Sequence, residues 1–489
     1  MLNMTSQRWL TEEDTSRSIW WHQMVVIVPS NLDPKNKHNA TMWITGGSND
    51  CDHSECNSWP STSDEDIWTC AALAMGTGTI TTALFQIPNE HIVFPSDPIQ
   101  KSRTEDAIIA FTWDHFLKDP SDPTWLVRFP MVKASVRAMD AVAEWVATKP
   151  DLGGQGYTAS YFSVAGASKR GWTTWLVGAV DSARVVAIVP IVLDALNFIN
   201  FSHKQYKSYQ GWSFALEDYY DMNITSRFDD PNMVTLSEVE DPYFYFDRLT
   251  MPKLVVNAVG DEFQQPDDTH LWWDSLPEPK HFLMVPNAEH SLATGIFEAV
   301  PAIGTWIKFL LDDRPVPTMD WTISNSTGDI TVNLHAAPSD LEALHVRKYW
   351  TQSWGGSNPG GPPRRDFRFL NLDDPCSSIL VSDGTCVNTK VFWQFEDLVA
   401  VEGSGGRTFV ASHAAPTDGT YAAFMVDVTY DKDPAGRGSL PYGKAEDWFP
   451  EFIPRDAKGQ LEFTTEVSIV PDTFPFADCS GASCYGVLV

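Results

Sequence analysis

Acyl transfer needs a nucleophile, a base to take its proton, a carboxylate to orient that base, and N–H donors for the oxyanion. Ser168, Asp261 and His290 have the residue types and the chain order for the first three roles. Ser168 stands in Gly166-Ala167-Ser168-Lys169-Arg170-Gly171, which is G-x-S-x-G with its second glycine displaced by one residue. Asp261 follows the apolar run KLVVNAVG, and His290 follows HFLMVPNAE. The N–H of Lys169, next to the nucleophile, is the expected first oxyanion donor. Gly47, or its neighbour Gly46, is the expected second, in a glycine pair that ends an early strand. Arg170 and Trp172 are expected at the substrate, and Lys169 with Arg170 would favour one that carries a carboxylate. Lys204 and Lys207 form a second cationic pair, read as solvated surface charge.

Each of these residues also has an ordinary reading. Ser168 fits a helix N-cap, Asp261 a turn residue after Gly260, His290 a surface or capping histidine, and Gly46-Gly47 a tight turn. With 12 histidines and 64 acidic residues, some such triple is easy to find. Placement on the fold must therefore decide, and Asp194, Glu262, Asp267 and Asp268 stand as substitutes for the acid.

The elements that would position these residues alternate along the chain. Tyr161 to Ala165 is short, apolar and aromatic, as a strand covered on both faces should be, and Trp172, Trp175, Leu176, Ala179 and Val180 recur at helical spacing after it. Strands are expected at Trp20 to Val28, Thr41 to Thr45, Thr79 to Gln86, Val185 to Val192, Leu254 to Ala258 and Phe282 to Val285. Helices are expected at Asp64 to Met75, Met131 to Thr148 and Leu292 to Leu311. Strands separated by helices form a mostly parallel sheet, and ligands of such sheets bind at the carboxyl edge, where Ser168, Asp261 and His290 all fall. Residues 197–250, rich in aromatic and acidic side chains, are expected to form a cap over that edge. The proline-rich segment 314–320 closes an α/β domain of residues 1–313. From 321 to 489 short alternating runs between Gly- and Pro-rich turns predict an all-β, sandwich-like domain.

A formal charge of −30 repels phosphate backbones, so nucleic acid is not an expected partner. No apolar run approaches the roughly 20 residues a membrane span needs. Five N-x-Ser/Thr sequons, at Asn3, Asn39, Asn200, Asn223 and Asn325, and the close pairs Cys51/Cys56, Cys376/Cys386 and Cys479/Cys484 suggest an extracellular glycoprotein with disulfides. Cys70 is left over. Residues 1–9 have no leader character, so the signal peptide is expected to lie upstream of this sequence. Cys51-x-His53-x-x-Cys56 has no second ligand pair at zinc spacing, and neither a metal nor a cofactor is expected.

The segments VAGASKRGWTTWL, DPYFYFDRL, PKLVVNAVGDEFQQPD and VPNAEHS together resemble the PhoPQ-activated pathogenicity-related family, which also contains the autocrine proliferation repressor proteins. The resemblance covers nearly the whole chain. It implies an α/β-hydrolase fold, with Ser168, Asp261 and His290 at the triad positions, and a secreted protein. Two functions follow as expectations: a secreted serine hydrolase acting on a small ester or peptide, or a secreted signal that binds a cell-surface receptor without turnover.

Overall fold

In the computed structural model, residues 1–49, 59–335, 337, 341–372, 385–431 and 461–489 are described. The expected pairs Cys51/Cys56 and Cys376/Cys386 fall wholly or partly outside them, while Cys479 and Cys484 form a disulfide. The described chain divides into two compact units.

The first unit holds Met1–Leu193, Asp230–Lys253 and Leu276–Lys280. Its strands are β1 (Leu2–Arg8), β2 (Ile19–Ile27), β3 (Asn39–Ile44), β4 (Ile80–Leu84), β5 (Tyr161–Ala167) and β6 (Val185–Ile191), and they follow one another across the sheet in the order β1-β2-β4-β3-β5-β6. β1 and β2 are antiparallel, as are β2 and β4, and the remaining pairs are parallel. This is the strand order of an α/β-hydrolase. All five residues of β4 and the central five of β5 are buried, because helices cover both faces of the sheet. The helices are α1 (Glu65–Thr77), α2 (Glu105–Lys118), α3 (Arg128–Ala147) and α4 (Lys169–Val180). The Asp64 carboxylate caps α1 by accepting the N–H groups of Asp66 and Ile67, and Gly78 ends it in the left-handed conformation at φ 69°.

Residues 197–250 contain α5 (Phe198–Tyr209), α6 (Glu217–Asp221) and α7 (Pro231–Glu240), joined by 3-10 turns and loops. Lys204, expected to be solvated, is buried instead: α5 turns it inward with Phe201 and Ser208, and its Nζ lies 2.6 Å from both Asp267 Oδ1 and Asp268 Oδ1. Among the described residues no helix is long and apolar enough to cross a membrane.

The second unit holds Asp194–Asp229, Leu254–Ser275 and His281–Val489. After α5 and α6 it contains β7 (Lys253–Ala258), β8 (Lys280–Val285) and α8 (Ile296–Leu311). Beyond α8 come β9 (Met319–Ile323), β10 (Ile330–Leu334), β11 (Glu342–Gln352), β12 (Leu370–Asn371), β13 (Cys386–Val387), β14 (Gln394–Asp397), β15 (Thr408–Ala411), β16 (Ala422–Asp431), β17 (Leu461–Thr464) and β18 (Ser468–Val470). They form antiparallel sheets, one ordered β15-β10-β9 and another β14-β11-β16-β17 with β18 also on β16. The Met284 N–H in β8 donates to Thr464 Oγ1 at 2.8 Å, and the ring of His281 packs on Phe463 at 4.8 Å.

We propose a domain boundary at 314–320, where Pro315 and Pro317 stop α8 from continuing and Asp312, Asp313 and Pro315 are exposed. Limited proteolysis is expected to cut first beside Arg314. Because the bonds between β8 and β17 span the cut, the two pieces should elute together until denatured. A first cut outside about residues 310–322 overturns the boundary.

Three carboxyl groups, Glu298 on α8, Asp427 on β16 and Glu462 on β17, influence one another in the interior. Burial, with the Asp427 charge, pushes Glu298 up to about 8, and burial pushes Asp427 up to about 6. Burial, then the charges of Glu298 and Asp427, also raises Glu462, while Arg347 on β11 opposes. The folded chain therefore keeps protons that the unfolded chain releases near pH 4, so this stabilisation is complete below about pH 4 and is lost as pH rises through about 8. Between pH 5 and 8.5 the unfolding free energy should fall by roughly 3 kcal/mol more in the native protein than in Glu298→Gln. Parallel slopes in denaturant titrations of the two proteins would refute this.

Candidate active site

Ser168 occupies the sharp turn between β5 and α4. Its φ of 57° and ψ of −127° lie where non-glycine residues rarely go, a conformation that costs on the order of 1–3 kcal/mol and persists only when the surroundings enforce it. Here β6 and α4 enforce it: the Ser168 N–H donates to the Ile191 carbonyl at 2.8 Å, and its own carbonyl accepts the Trp172 N–H at 3.0 Å. The side chain is half-buried and makes no capping bond to α4, so the helix-cap reading of this serine fails.

The glycines on either side of the serine are sterically required. A Cβ on Gly166 would stand 2.8 Å from the Arg170 carbonyl oxygen and 3.0 Å from Arg170 Cβ. Gly171 is needed as well, since a Cβ there would stand 2.8 Å from the Ile191 carbonyl oxygen. The expected oxyanion loop lies alongside. β3 and β5 are parallel with Ile44 opposite Gly166, so the chain beyond Ile44 reaches Gly46 and Gly47 as the chain beyond Gly166 reaches Ser168. Gly47 is exposed and sits at φ 101°.

The cations beside Ser168 are already paired. Lys169 Nζ is 3.0 Å from Glu105 Oε2 and 2.9 Å from Asp106 Oδ2, and Arg170 Nη2 is 2.5 Å from Glu105 Oε1. Burial opposes ionisation of Glu105, yet Arg170 and Lys169 hold its carboxyl at about 2. Glu105 and Asp106 open α2, and no sequence motif linked them to the serine. Trp172, expected at the substrate, is instead an interior side chain. It is 4% exposed, donates Nε1–H to the Glu240 carbonyl at 2.7 Å, and carries the Arg128 guanidinium over its ring at 3.9 Å.

In the second unit, His290 Nδ1 and Asp261 Oδ2 are 2.7 Å apart, and because an ionised carboxylate only accepts, the imidazole donates. Asp261 is 3% exposed and its Oδ1 accepts the N–H groups of Phe263 (2.7 Å) and Gln264 (3.2 Å). The loops carrying the pair are stitched together as they leave β7 and β8: Val259 N–H donates to the Val285 carbonyl at 3.2 Å and Gly260 N–H to the Ala288 carbonyl at 3.0 Å. The Glu289 carboxylate accepts the Ser291 and Ala293 N–H groups and shapes the turn around His290, whose ring packs 4.3 Å from that of Phe263.

The substitute acids are engaged elsewhere. Asp194 Oδ1 accepts the Trp272 indole N–H at 2.7 Å, and Asp267 and Asp268 hold Lys204, with Asp267 also 2.7 Å from Arg365 Nη2. Glu262 is nearer: its Oε2 accepts the His290 backbone N–H at 3.2 Å, and burial, then the Asp261 charge, pushes its carboxyl up to about 7. Among the described residues a metal-type cluster occurs at His203, Cys479 and Cys484, and its two sulfurs are joined in the disulfide.

Comparison with known proteins adds the following. Residues 1–368 match the PhoPQ-activated pathogenicity-related protein family. The chain is 33% identical over 495 residues, 99% of its own length and 87% of the relative's, to autocrine proliferation repressor protein A of Dictyostelium discoideum. Solved structures similar to it include Est1E from Butyrivibrio proteoclasticus with bound ferulic acid, at 13% identity and a TM-score of 0.36 over 60% of this chain and 95% of that one. Another is the acetyl xylan esterase from Paenibacillus sp. R4, at 12% identity and a TM-score of 0.39 over 60% of this chain and 80% of that one.

Proposed function

The chain belongs to the PhoPQ-activated pathogenicity-related protein family, and on that premise we propose that it is a secreted serine hydrolase that transfers the acyl group of a small ester or peptide to water. The observation that carries this reading is the 2.7 Å contact between His290 Nδ1 and Asp261 Oδ2, which fixes one ring nitrogen on a buried carboxylate and makes Nε2 the proton acceptor. Ser168 is the nucleophile. As its Oγ attacks the acyl carbon the proton passes to His290 Nε2, and the imidazolium formed is stabilised by Asp261. The tetrahedral oxyanion is held by the N–H of Lys169 and by one from the Gly46-Gly47 segment. Collapse returns the proton to the leaving alcohol or amine, and a water activated by the same imidazole releases the acid.

A second reading is favoured by the relative's name. The chain would then be an extracellular signal that presents the hydrolase fold to a cell-surface receptor without turnover. A fluorophosphonate probe separates the two. The hydrolase reading expects stoichiometric labelling of the folded protein, with the modified peptide mapping to Ser168 by mass spectrometry. Folded protein that takes up no probe supports the signalling reading.

A further inference from the structure

We propose that Arg170 is a positioning residue: its guanidinium fixes the Gly46-Gly47 segment against the Ser168 turn, so that a backbone N–H of that segment completes the oxyanion site. The inference rests on the hydrolase reading and changes the role that the sequence suggests for Arg170, from recognising substrate charge to holding backbone.

Three contacts carry it. A Cβ on Gly46 would stand 2.4 Å from Arg170 Nη2 and 2.9 Å from Cζ, so the guanidinium lies directly against the backbone of that glycine. Arg170 Nε donates to the Ile87 carbonyl at 2.5 Å, while Ile87 N–H donates to the Thr45 carbonyl at 3.1 Å and Gln86 N–H to the Gly46 carbonyl at 2.7 Å. One side chain thus binds the segment that follows β4 and braces Thr45 and Gly46, and it also lies against Gly46 itself. The third contact, from the same Nη2 to Glu105 Oε1 at 2.5 Å, ties the end of the guanidinium that meets Gly46 to α2. Glu105 N–H in turn donates to Glu90 Oε2 at 2.8 Å, so the anchor is itself held. A planar fork of donors suits this bridging, and a lysine ammonium cannot make the same set of bonds. Thr45 already gives its N–H to the Leu84 carbonyl, which leaves Gly46 or Gly47 as the donor.

The test compares wild type, Arg170→Met, Arg170→Lys, Gly46→Ala and the double variant Arg170→Met/Gly46→Ala. It measures kcat and KM for p-nitrophenyl acetate, which has no charge to recognise, and the rate of fluorophosphonate labelling. Loss of an oxyanion donor lowers kcat roughly 100-fold. Arg170→Met and Gly46→Ala should each lower kcat and labelling by about that factor with KM within about twofold. The double variant should be no worse than the worse single, because both changes break one contact. Arg170→Lys should recover less than a tenth of the lost rate, as expected when geometry and not charge is needed. Thermal unfolding checks each variant. Glu105→Gln, which weakens one contact of the fork, replaces any that fails to fold and should lower kcat roughly tenfold with KM unchanged. The proposal is overturned if Arg170→Met keeps its kcat and raises KM only for carboxylate-bearing esters, or if the two single losses add. Wild type that takes up no probe removes the hydrolase reading itself, and this inference with it.

Discussion

Ser168→Ala is expected to fold like the native protein, to take up no fluorophosphonate, and to lose at least roughly 10⁴-fold in ester turnover, since removing the nucleophile of a triad costs about as much as removing the whole unit. Its stability should stay within about 1 kcal/mol of wild type. Alanine must adopt the same φ of 57°, so the strain is unchanged, and the lost hydroxyl makes no capping bond to α4. Nor can the one free cysteine among the described residues take over. Cys70 is fully buried, and burial raises its thiol well above the ordinary range, so the reactive thiolate is suppressed. Labelling that persists in Ser168→Ala would therefore report a different nucleophile, and the triad would have to be abandoned.

The turn was legible because its two flanks read differently: a mainly apolar and aromatic run before Ser168, and a one-sided apolar spacing after it. The pairing of Asp261 with His290 was legible for a related reason, since each follows a short apolar run that ends at polar residues, and the structure sets the two side chains 2.7 Å apart. Helix α2 was not, because Ala107 to Trp113 are all buried and leave no polar face to give a period. With α2 went Glu105 and Asp106, the partners of Lys169 and Arg170, so those two cations read as substrate contacts. Trp172 misled for a geometric reason: it lies four residues beyond Ser168, but α4 turns its indole into the interior against Glu240 and Arg128. Lys204 misled because a lysine reads as solvated unless its acids are in view, and Asp267 and Asp268 lie 63 and 64 residues away.

Asp261→Asn should leave the fold intact and lower kcat by roughly 10⁴, because an amide can hold the imidazole in the wrong tautomer and cannot stabilise the imidazolium. The native protein's kcat/KM should rise with pH through one ionisation, since only neutral His290 can take the serine proton. Glu262 is the carboxyl best placed to compensate. The Asp261 charge helps to push it up to about 7, so Asp261→Asn lets it ionise at lower pH. That charge will not restore turnover, because Glu262 accepts the His290 backbone N–H, whereas the ring nitrogen belongs to Asp261. Adding Glu262→Gln to Asp261→Asn should therefore change kcat by less than about threefold, within the range of neighbouring charge effects. Asp194→Asn and Asp267→Asn should each cost less than about tenfold, since those carboxylates hold Trp272 and Lys204 and do not touch the imidazole. Near-native turnover in Asp261→Asn, with a crippling loss in either of the other two, would move the acid to that residue and break the assignment of His290 with it.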